Sequence, residues 1–502
     1  MPDRLQEGDL LAAVDLGSNS FHLVVARYVL GQLRVVDRLK ETVRMASGLD
    51  GKGGLSKEVL QRSLDALARL GQRMRTLPEH RVRAIATNTV RQLKNPQSFL
   101  VPGETALGHS IEVVSGREEA RLIYLGVAHG HPPGRRRRLV MDIGGGSTEF
   151  IIGQGFNALE RESLQMGCIA STRRFFANGK LSHKRWREAL TDVSAEFQQF
   201  TTTFIARGWQ ETLGSSGTIK AVGEVLSAMK LTRGAITPDA LGELRDELLK
   251  ASSIDDIKLP GLSDERRPVI AGGVLVLEAA FNELRLSRMQ VAETAMREGV
   301  LYDMLGRVTN QDPRDASVAA LEERYGVDRD QAGRVEQTAL ALFDQVARRW
   351  LLSDEDRLIL GWAARIHELG LSIAHSQYHV HGAYLIRHSD IAGFSTTDQE
   401  LLSSLVRCQR RSLPSGLINE LSERNAYATI KGIMLLRLAV LLHRSHDPHT
   451  LPDLQLLGTP PKLQVDLPRS WLDKHPLTRN DLEAEQSYLA EIGIELAFGP
   501  AD

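Results

Sequence analysis

The sequence contains two copies of one pattern: DLGSNSFHLVVA at Asp15–Ala26 and, 127 positions later, DIGGGSTEFIIG at Asp142–Gly153. Both copies begin with an aspartate, carry a glycine and a serine at matching positions, and continue into apolar residues. This order of residues indicates a strand, a hairpin loop and a second strand in each copy. Because the spacing matches the size of one α/β domain, the repeat predicts two related α/β domains whose loops face a shared cleft.

Strand and helix signals alternate around the first copy. Gly31-Gln32 turns the chain into a third strand, LRVVDRLK, so we expect an antiparallel meander. Ser56 is expected to begin an amphipathic helix, and two further short strands, RVRAIAT and SIEVV, each precede a helical pattern. The stretch Gly130–Gly134 is rich in glycine and proline and marks a boundary. We therefore predict one α/β domain at residues 1–130 and a related one at residues 131–311.

The character of the sequence changes near Asp312. Strand signals become rare and long helical patterns follow, which predicts an all-α domain at residues 312–450. The tail at residues 451–502 contains Pro-rich spacers and one expected strand pair around PPKLQVDLPRSWL. The predicted fold class is therefore α/β with an added all-α domain and a small C-terminal α+β tail domain.

Composition narrows the class of protein. The chain has 502 residues, of which 42% are hydrophobic and 25% charged, values that exclude disordered and collagen-like proteins. Lys and Arg (62) nearly balance Asp and Glu (63), so no nucleic-acid partner is expected. Apolar stretches such as Val269–Phe281 are too short to span a bilayer, although peripheral membrane association stays open. The start shows no signal-peptide pattern, and Cys168 and Cys408 lie far apart, so we predict a cytoplasmic location.

The loops of the two copies are candidate phosphate-binding sites. A glycine-rich turn after a strand points several backbone N–H groups in one direction, and serine or threonine hydroxyls add donors. One Asp-x-Gly loop is most often an ordinary hairpin turn, whereas two copies at domain spacing are far more specific. The candidate phosphate ligands are Asp15, Gly17, Ser18, Asn19 and Ser20 in the first copy and Gly144, Gly145, Gly146, Ser147 and Thr148 in the second.

A third glycine-rich segment precedes the helical pattern IKAVGEVLSAM. Glycines at the start of a helix leave backbone N–H groups unpaired beside the positive end of the helix dipole, an arrangement that favours an anion. If Thr218 is only the N-cap of an ordinary helix, the segment binds nothing. Both interpretations stay open for the five candidate residues of this segment, Gly214, Ser215, Ser216, Gly217 and Thr218.

The acid–base candidate lies in VVSGREEARLIYLGV. Ser115 and Glu118 match a capping box, which assigns Glu118 to the start of the helix. Glu119 has no capping role and stands in the first turn, where the helix dipole favours the ionised carboxylate. A carboxylate near a phosphate cleft can deprotonate a water molecule for in-line attack. The alternative is that Glu119 only occupies the helix N-terminus.

Two arginines are weighed as phosphate ligands. Arg91 in ATNTVRQLKN lies just after a strand, and a guanidinium can bind phosphate through two hydrogen bonds. An arginine at such a position is still more often a surface residue. Arg297-Glu298 could equally form an internal ion pair that supports the second domain.

Seven segments, in this order, resemble the motifs of the exopolyphosphatase/guanosine pentaphosphate phosphohydrolase family: DLGSNSFHLVVA, ATNTVRQLKN, SGREEARLIYLGV, DIGGGSTEF, MGC, GSSGTIKAV and AMREGVLYDML. The resemblance covers essentially the whole chain. It implies duplicated actin-like (ribonuclease H-like) domains, Mg²⁺ as cofactor and a homodimer. It also implies that Glu119 is the catalytic carboxylate, that Asp142 and Glu149 are the metal ligands, and that the first loop binds phosphate.

The all-α domain resembles the HD-like module that long members of this family append, with departures at the metal site. The signature His-Asp pair is His367-Glu368 here, and Val440 stands where such modules carry a late metal-binding aspartate. His375, His379 and His381 could gather a metal ion. Because they lack acidic partners, we expect a non-catalytic role for this domain.

The first functional hypothesis is an exopolyphosphatase that uses Mg²⁺ and a Glu119-activated water to release orthophosphate from the end of inorganic polyphosphate. The leading alternative is the same reaction on guanosine pentaphosphate, giving the tetraphosphate. The preference for polyphosphate rests on HSQYHVHGAYLIRHSDIAGF and on the second loop. Two hypotheses of different classes stay open as well: an actin-like kinase that uses ATP, and a non-enzymatic sensor of polyphosphate or alarmone.

Overall fold

The computed structural model describes residues 5–132, 136–232, 234–308, 312–414, 423–448 and 451–500. These residues form two compact units, residues 5–308 and residues 312–500. The domain boundaries expected after residues 130, 311 and 450 stay predictions. The boundary segment Gly130–Gly134 lies partly outside the described residues, as do residues 311 and 450.

The first sheet belongs to what we call lobe one, residues 10–113. Its strands are β1 (Leu10–Leu16), β2 (Ser20–Val29), β3 (Gln32–Thr42), β4 (Val82–Ala86) and β5 (Ile111–Val113). They lie in the order β3-β2-β1-β4-β5, with the first three antiparallel and with β4 parallel to β1 and to β5. The predicted meander is therefore confirmed. The apolar run Leu11–Val14 is fully buried because β1 lies in the middle of the sheet.

The second sheet belongs to lobe two, residues 137–291. Its strands are β6 (Arg137–Ile143), β7 (Thr148–Gln154), β8 (Asn157–Leu164), β9 (Glu211–Ser215), β10 (Ala235–Ile236) and β11 (Met289–Val291). They lie in the order β10-β11-β9-β6-β7-β8, which repeats the first sheet and adds β10 at one edge.

The repetition extends to a local irregularity of the strands. The register shifts between Val25 and Ala26 in β2, and it shifts again between Ile152 and Gly153 in β7, at the equivalent positions 127 residues later. Such β-bulges are designed features that persist within related structures. The duplicated architecture predicted from the two loops is thus confirmed in strand order, direction and register.

Helices cover the sheets of this unit: α1 (Lys57–Met74), α2 (Asn88–Arg91), α3 (Gln97–Leu107), α4 (Gly116–His129), α5 (Cys168–Phe175), α6 (His183–Phe197), α7 (Thr201–Arg207), α8 (Ser216–Ala228), α9 (Pro238–Lys250), α10 (Ile270–Glu283) and α11 (Met296–Val308). Ser56 is the N-cap of α1, as expected, and its side chain accepts a hydrogen bond from Val59 N. Apolar side chains of α4 and α11 form one buried cluster with residues of both sheets, including Ala13 and Val140. These two helices therefore join the lobes.

The unit of residues 312–500 is mainly helical. Its helices are α12 (Pro313–Tyr325), α13 (Arg329–Trp350), α14 (Asp354–Arg365), α15 (Tyr378–His388), α16 (Thr396–Cys408), α17 (Glu423–Leu442), α18 (Arg469–Lys474) and α19 (Pro476–Ala490). Its strands are β12 (Gln455–Thr459), β13 (Lys462–Asp466) and β14 (Glu495–Gly499), in the order β12-β13-β14. The strand β14, parallel to β13, extends the predicted pair, and Val465 of the sheet shares its core with Val335 of α13. Among the described residues, no helix is both long and apolar enough to cross a membrane.

Candidate active site

The two repeated loops have the same local geometry. Asp15 faces His22 across β1 and β2, and Asp142 faces Glu149 across β6 and β7. A Cβ atom at Gly17 would lie 3.0 Å from Ser20 O, and one at the equivalent Gly144 would lie 3.1 Å from Ser147 O. Each turn is therefore tight enough to favour glycine at this position.

Both loops lie at the carboxyl ends of parallel strands, where ligands bind in open α/β sheets. The register pairs Asp142 at the end of β6 with Ser215 at the end of β9. In lobe one the end of β4 leads into Thr87 and Asn88, beside the end of β1. The first loop and the start of ATNTVRQLKN thus lie together at the edge of the first sheet. The second loop and the segment that contains Ser215 lie together at the matching edge of the second sheet.

The edges of the two lobes are in contact around these loops. A Cβ atom at Gly145 of the second loop would lie 3.1 Å from the Cβ atom of Ser18 in the first. Asn88 Nδ2 donates a hydrogen bond of 2.7 Å to Gln165 Oε1 of lobe two. Within lobe one, the Thr89 hydroxyl donates one of 2.8 Å to Ser18 Oγ of the first loop. The twin loops therefore face each other.

Four carboxyl groups share the space beside the loops. Burial raises the pKa of Asp15 to about 7 and that of Asp142 to about 6. Burial also raises the pKa of Glu149 well above its usual value, and the charges of Glu119 and Asp142 raise it further. The Glu119 charge acts in the same direction on Asp15 and Asp142. The Glu119 carboxylate is thus within electrostatic reach of both loops.

The start of α4 positions Glu119. Ser115 Oγ accepts a hydrogen bond of 3.2 Å from Glu118 N, as an N-cap does. The Glu118 carboxylate accepts two hydrogen bonds from Arg121, at 2.7 and 2.8 Å. Glu119 Oε2 instead accepts a hydrogen bond of 3.0 Å from Arg91 Nη1, and the Arg91 charge offsets part of the rise in the pKa of Glu119 that burial causes. Neighbouring glutamates on one helix turn therefore have separate partners.

Arg91 has donor capacity left for a ligand. Its Nη1 atom also donates a hydrogen bond of 2.7 Å to Val114 O. Its Nη2 atom is buried and has no hydrogen-bond partner. A buried guanidinium N–H without a partner is costly in a folded protein, so this atom is suited to a phosphate oxygen.

The third segment is joined to the second loop through Ser215. Its hydroxyl donates a hydrogen bond to Asp142 Oδ2. The helix α8 begins at Ser216, so Ser215 and not Thr218 stands at the N-cap position, and that alternative for Thr218 is wrong. The side chain of Thr218 is buried. The guanidinium of Arg266 packs against Gly217, where it leaves no room for a Cβ atom.

Two predicted donors are occupied by protein groups. The Thr148 hydroxyl is fully buried and donates to Met166 O. Asn19 Nδ2 donates to Ser20 Oγ at 3.3 Å and to Glu265 Oε1 at 3.4 Å. These side chains shape the loops, and the backbone N–H groups of the loops remain the candidate donors to phosphate.

The donor set of lobe two fits a small hard cation better than that of lobe one. Asp142 and Glu149 face each other on adjacent strands, while His22 occupies the position equivalent to Glu149 and lies 2.9 Å from Arg297 Nη1 through its Nδ1 atom. Nowhere in the described ranges do three or more His, Cys, Asp or Glu side chains form a metal-binding group. Mg²⁺ commonly takes one or two carboxylates and fills its other positions with water and phosphate oxygens. Asp142 and Glu149 therefore fit Mg²⁺ as a pair of carboxylate ligands.

In the unit of residues 312–500, the predicted His-Glu pair lies in contact with neighbouring residues. His367 Nδ1 lies 2.7 Å from Ala364 O, and His446 Nε2 lies 3.1 Å from Glu368 Oε1. His379 is buried, and burial lowers its pKa to about 4. The structure thus shows packed side chains at the predicted His-Glu pair.

Sequence reasoning missed several residues that complete the site. His22 lies in the quoted repeat, and its alignment with Glu149 could have identified it. Ser163, whose hydroxyl donates a hydrogen bond of 2.9 Å to Glu149 Oε1, lies near the end of a strand with no motif. Arg266 comes from a distant segment, and no local signal could have placed it at the loops. Arg297 was considered from the sequence, but its contact with His22 was not predicted. Burial lowers the pKa of His22, and the charges of both arginines lower it further.

Comparison with known proteins identifies a family along almost the entire chain. The Ppx/GppA phosphatase family matches residues 24–308, and domain III of the Ppx/GppA phosphatases matches residues 314–486. A relative from Pseudoalteromonas translucida (strain TAC 125) is 34% identical over 489 residues, covering 97% of this chain and 98% of the relative. Another from Vibrio vulnificus (strain YJ016) is 36% identical over 493 residues, covering 97% and 98%. Both are named guanosine-5'-triphosphate,3'-diphosphate pyrophosphatase.

Solved structures share the fold of the first unit. An exopolyphosphatase from Cytophaga hutchinsonii is 24% identical with a TM-score of 0.54, covering 60% of this chain and 98% of that chain. The Aquifex aeolicus PPX-GPPA enzyme is 24% identical with a TM-score of 0.50, covering 58% and 98%. The family matches, the nearly full-length relatives and the duplicated fold all indicate the same family. The chain is an enzyme of the Ppx/GppA phosphatase family.

Proposed function

We propose that this enzyme hydrolyses the terminal phosphoanhydride of guanosine pentaphosphate to give guanosine tetraphosphate and orthophosphate. The observation that carries the substrate is the pair of nearly full-length relatives, 34% and 36% identical, that share one name. This choice reverses the order of the two sequence-based hypotheses, which favoured polyphosphate. Both substrates end in the same phosphoanhydride, so the loops that hold the terminal phosphate cannot distinguish them.

The geometry supports Glu119 as the general base. Its carboxylate is buried, held by Arg91, and within electrostatic reach of Asp15 and Asp142. An ionised carboxylate with a raised pKa accepts a proton from water more readily than an exposed one. Water attacks the terminal phosphorus, its proton passes to Glu119, and the bond to the bridging oxygen breaks, so that orthophosphate leaves.

The two loops stabilise the negative charge of the transferred group. In this proposal the donors are free backbone N–H groups of the two loops and the unpartnered Arg91 Nη2 atom. Asp142 and Glu149 would hold Mg²⁺, which when bound offsets the charge of the phosphate oxygens. The cytoplasmic location and the homodimer implied by the resemblance belong to the same proposal.

Phosphate release from guanosine pentaphosphate, long-chain polyphosphate and ATP tests this function. We expect the highest kcat/KM with guanosine pentaphosphate and loss of turnover when EDTA removes divalent cations. A higher kcat/KM with polyphosphate would restore the first hypothesis. Consumption of ATP alone would support a kinase, and binding without any phosphate release would support a sensor.

A further inference from the structure

A short segment of lobe two, Ser263–Val269, reaches the first loop of lobe one. The Glu265 carboxylate accepts hydrogen bonds from Lys40 Nζ at 3.0 and 3.1 Å and from Thr42 Oγ1 at 3.3 Å, both on β3. It also accepts one of 3.4 Å from Asn19 Nδ2 in the loop itself. A single carboxylate of lobe two thus collects three donors of lobe one.

The segment has backbone hydrogen bonds of its own and leads directly into the core of lobe two. The backbone N–H groups of Arg266 and Arg267 donate to Ser263 O at 3.0 and 3.1 Å. The segment then continues into α10, a buried helix whose start packs against Thr218 through Gly273. Glu265 is therefore held by the same framework that carries the third segment of the candidate site.

The first loop is fixed in turn to the residues that follow β3. Val43 N and Arg44 N donate to Asn19 O at 3.1 and 2.7 Å, and Ala46 N donates to Ser18 O at 2.9 Å. Lobe two reaches this stretch a second time, because Arg173 Nη1 donates a hydrogen bond of 2.9 Å to Ala46 O. The position of the first loop relative to lobe two is set by contacts at both ends of the stretch from Lys40 to Ala46.

We propose that Glu265 is a positioning residue that fixes the first loop, Asp15–Ser20, at its working distance from lobe two. It acts through Asn19, Lys40 and Thr42 and has no part in the chemical step. This inference depends on the proposed function only because its kinetic test uses guanosine pentaphosphate as the substrate. Since the terminal phosphate needs both loops at once, Glu265 determines how large a fraction of molecules is ready to bind.

Loss of Glu265 should affect KM and kcat differently. When a binding-competent state is only partly populated, the apparent affinity falls by that fraction. Molecules that have closed around the substrate still carry an intact Glu119 and intact loops. Loss of Glu265 is therefore expected to raise KM and to leave kcat unchanged. The side chains of Lys40 and Glu265 are 41% and 33% exposed, and ion pairs of this exposure add little to global stability.

The kinetic experiment compares Glu265→Ala with a matched control, Glu41→Gln. Glu41 also lies on β3, but it accepts hydrogen bonds from Arg69 at 2.8 and 3.0 Å within lobe one. With guanosine pentaphosphate, Glu265→Ala should raise KM by about 2- to 5-fold while kcat stays unchanged. Glu265→Gln, which keeps an acceptor for Thr42 and Asn19, should fall between Glu265→Ala and wild type. An unchanged KM, or a lower kcat at unchanged KM, would overturn the proposal.

A second measurement needs no turnover. Spin labels on cysteines introduced at the exposed residues Lys57 of lobe one and Lys184 of lobe two report the distance between the lobes, since Cys168 and Cys408 are buried. Glu265→Ala should broaden the distance distribution, whereas Glu41→Gln should leave it narrow. An unaltered distribution in Glu265→Ala would refute the positioning role. A broadened distribution in a protein inactive on guanosine pentaphosphate would refute the proposed function alone.

Discussion

Arg91 Nη1 donates a hydrogen bond of 3.0 Å to Glu119 Oε2, which couples two residues that the sequence indicated separately. Arg91 was predicted as a phosphate ligand and Glu119 as a base. The structure adds that Arg91 orients the base through Nη1 and keeps Nη2, buried and without a partner, beside it. One guanidinium can therefore hold the base and contact the phosphoryl group.

Replacing Arg91 by methionine should shift the pH dependence of the reaction to higher pH. Burial raises the pKa of Glu119 and the Arg91 charge lowers it, so without Arg91 the rise is unopposed. The base must be ionised, so the acidic limb of the kcat/KM profile should move upward in pH. Profiles of wild type, Arg91→Met and Arg91→Lys measure this shift. Arg91→Lys keeps the charge and should show the smaller displacement; identical limbs for all three would contradict the assignment.

Replacing Glu119 by glutamine should abolish turnover and preserve binding. The amide keeps the shape of the side chain but cannot accept a proton from water, so kcat should fall by about 10²- to 10⁴-fold. Calorimetric titration with guanosine pentaphosphate should give a Kd close to that of wild type. Phosphate release at wild-type rates would show that another group is the base.

The sequence predicted the elements of the fold that depend on local pattern or on repetition. The paired loops, the meander of β1, β2 and β3, and the helix that starts after Ser56 follow from periodicity, turn residues and capping. The candidate phosphate loops followed from the same repeat. Contacts between distant segments, such as Arg266 against Gly217 or Asn88 with Gln165, could not be predicted because no local pattern records which segments meet.

Replacing Gly299 by alanine should destabilise the unit of residues 5–308. The helices α4 and α11 cross so closely that a Cβ atom at Gly299 would collide with Leu122 O, and one at Gly126 would collide with Ala295 O. Overpacking a backbone contact costs about 1–3 kcal/mol or more. Gly242→Ala, in α9 with Arg245 Nη2 as its nearest neighbour at 3.8 Å, is the matched control. It should raise stability by about 0.5–1 kcal/mol. Urea unfolding should separate the two variants, and equal stability would contradict the close crossing.

The half-buried His22 should make the protein less stable in acid. Burial lowers the pKa of His22 to about 3, and the nearby charges of Arg297, Lys40 and Arg266 lower it further. The charge of Glu265 has the opposite, smaller effect. The unfolded chain binds a proton near the usual value while the folded chain does not, so stability falls as the pH drops below about 6.5. The loss from this group reaches about 2 kcal/mol near about pH 5.

The variant His22→Asn isolates this contribution. Its free energy of unfolding should depend less on pH between about pH 5 and about pH 7 than that of wild type. Other groups, including Asp15, titrate in both proteins and cancel in the comparison. Parallel pH profiles for the two proteins would show that folding leaves the pKa of His22 unchanged.

Replacing Glu149 by glutamine should raise stability without Mg²⁺ and remove most of the stabilisation that Mg²⁺ provides. Burial raises the pKa of Glu149 well above its usual value, with the charges of Glu119 and Asp142 adding to this rise. A raised pKa in the folded state means that stability is lost as the pH increases through that pKa. The neutral amide avoids this loss.

Added Mg²⁺ should stabilise wild type more than the Glu149→Gln variant. An ion that binds only the folded wild type raises its Tm in proportion to the logarithm of the ion concentration. Glu149→Gln lacks one of the two proposed ligands and should respond weakly. The control is Glu160→Gln on β8, the strand that pairs with β7. Glu160 accepts a hydrogen bond of 2.9 Å from Arg207, and this variant should respond to Mg²⁺ like wild type. An equal rise in Tm for all three proteins would place the Mg²⁺ site away from Glu149.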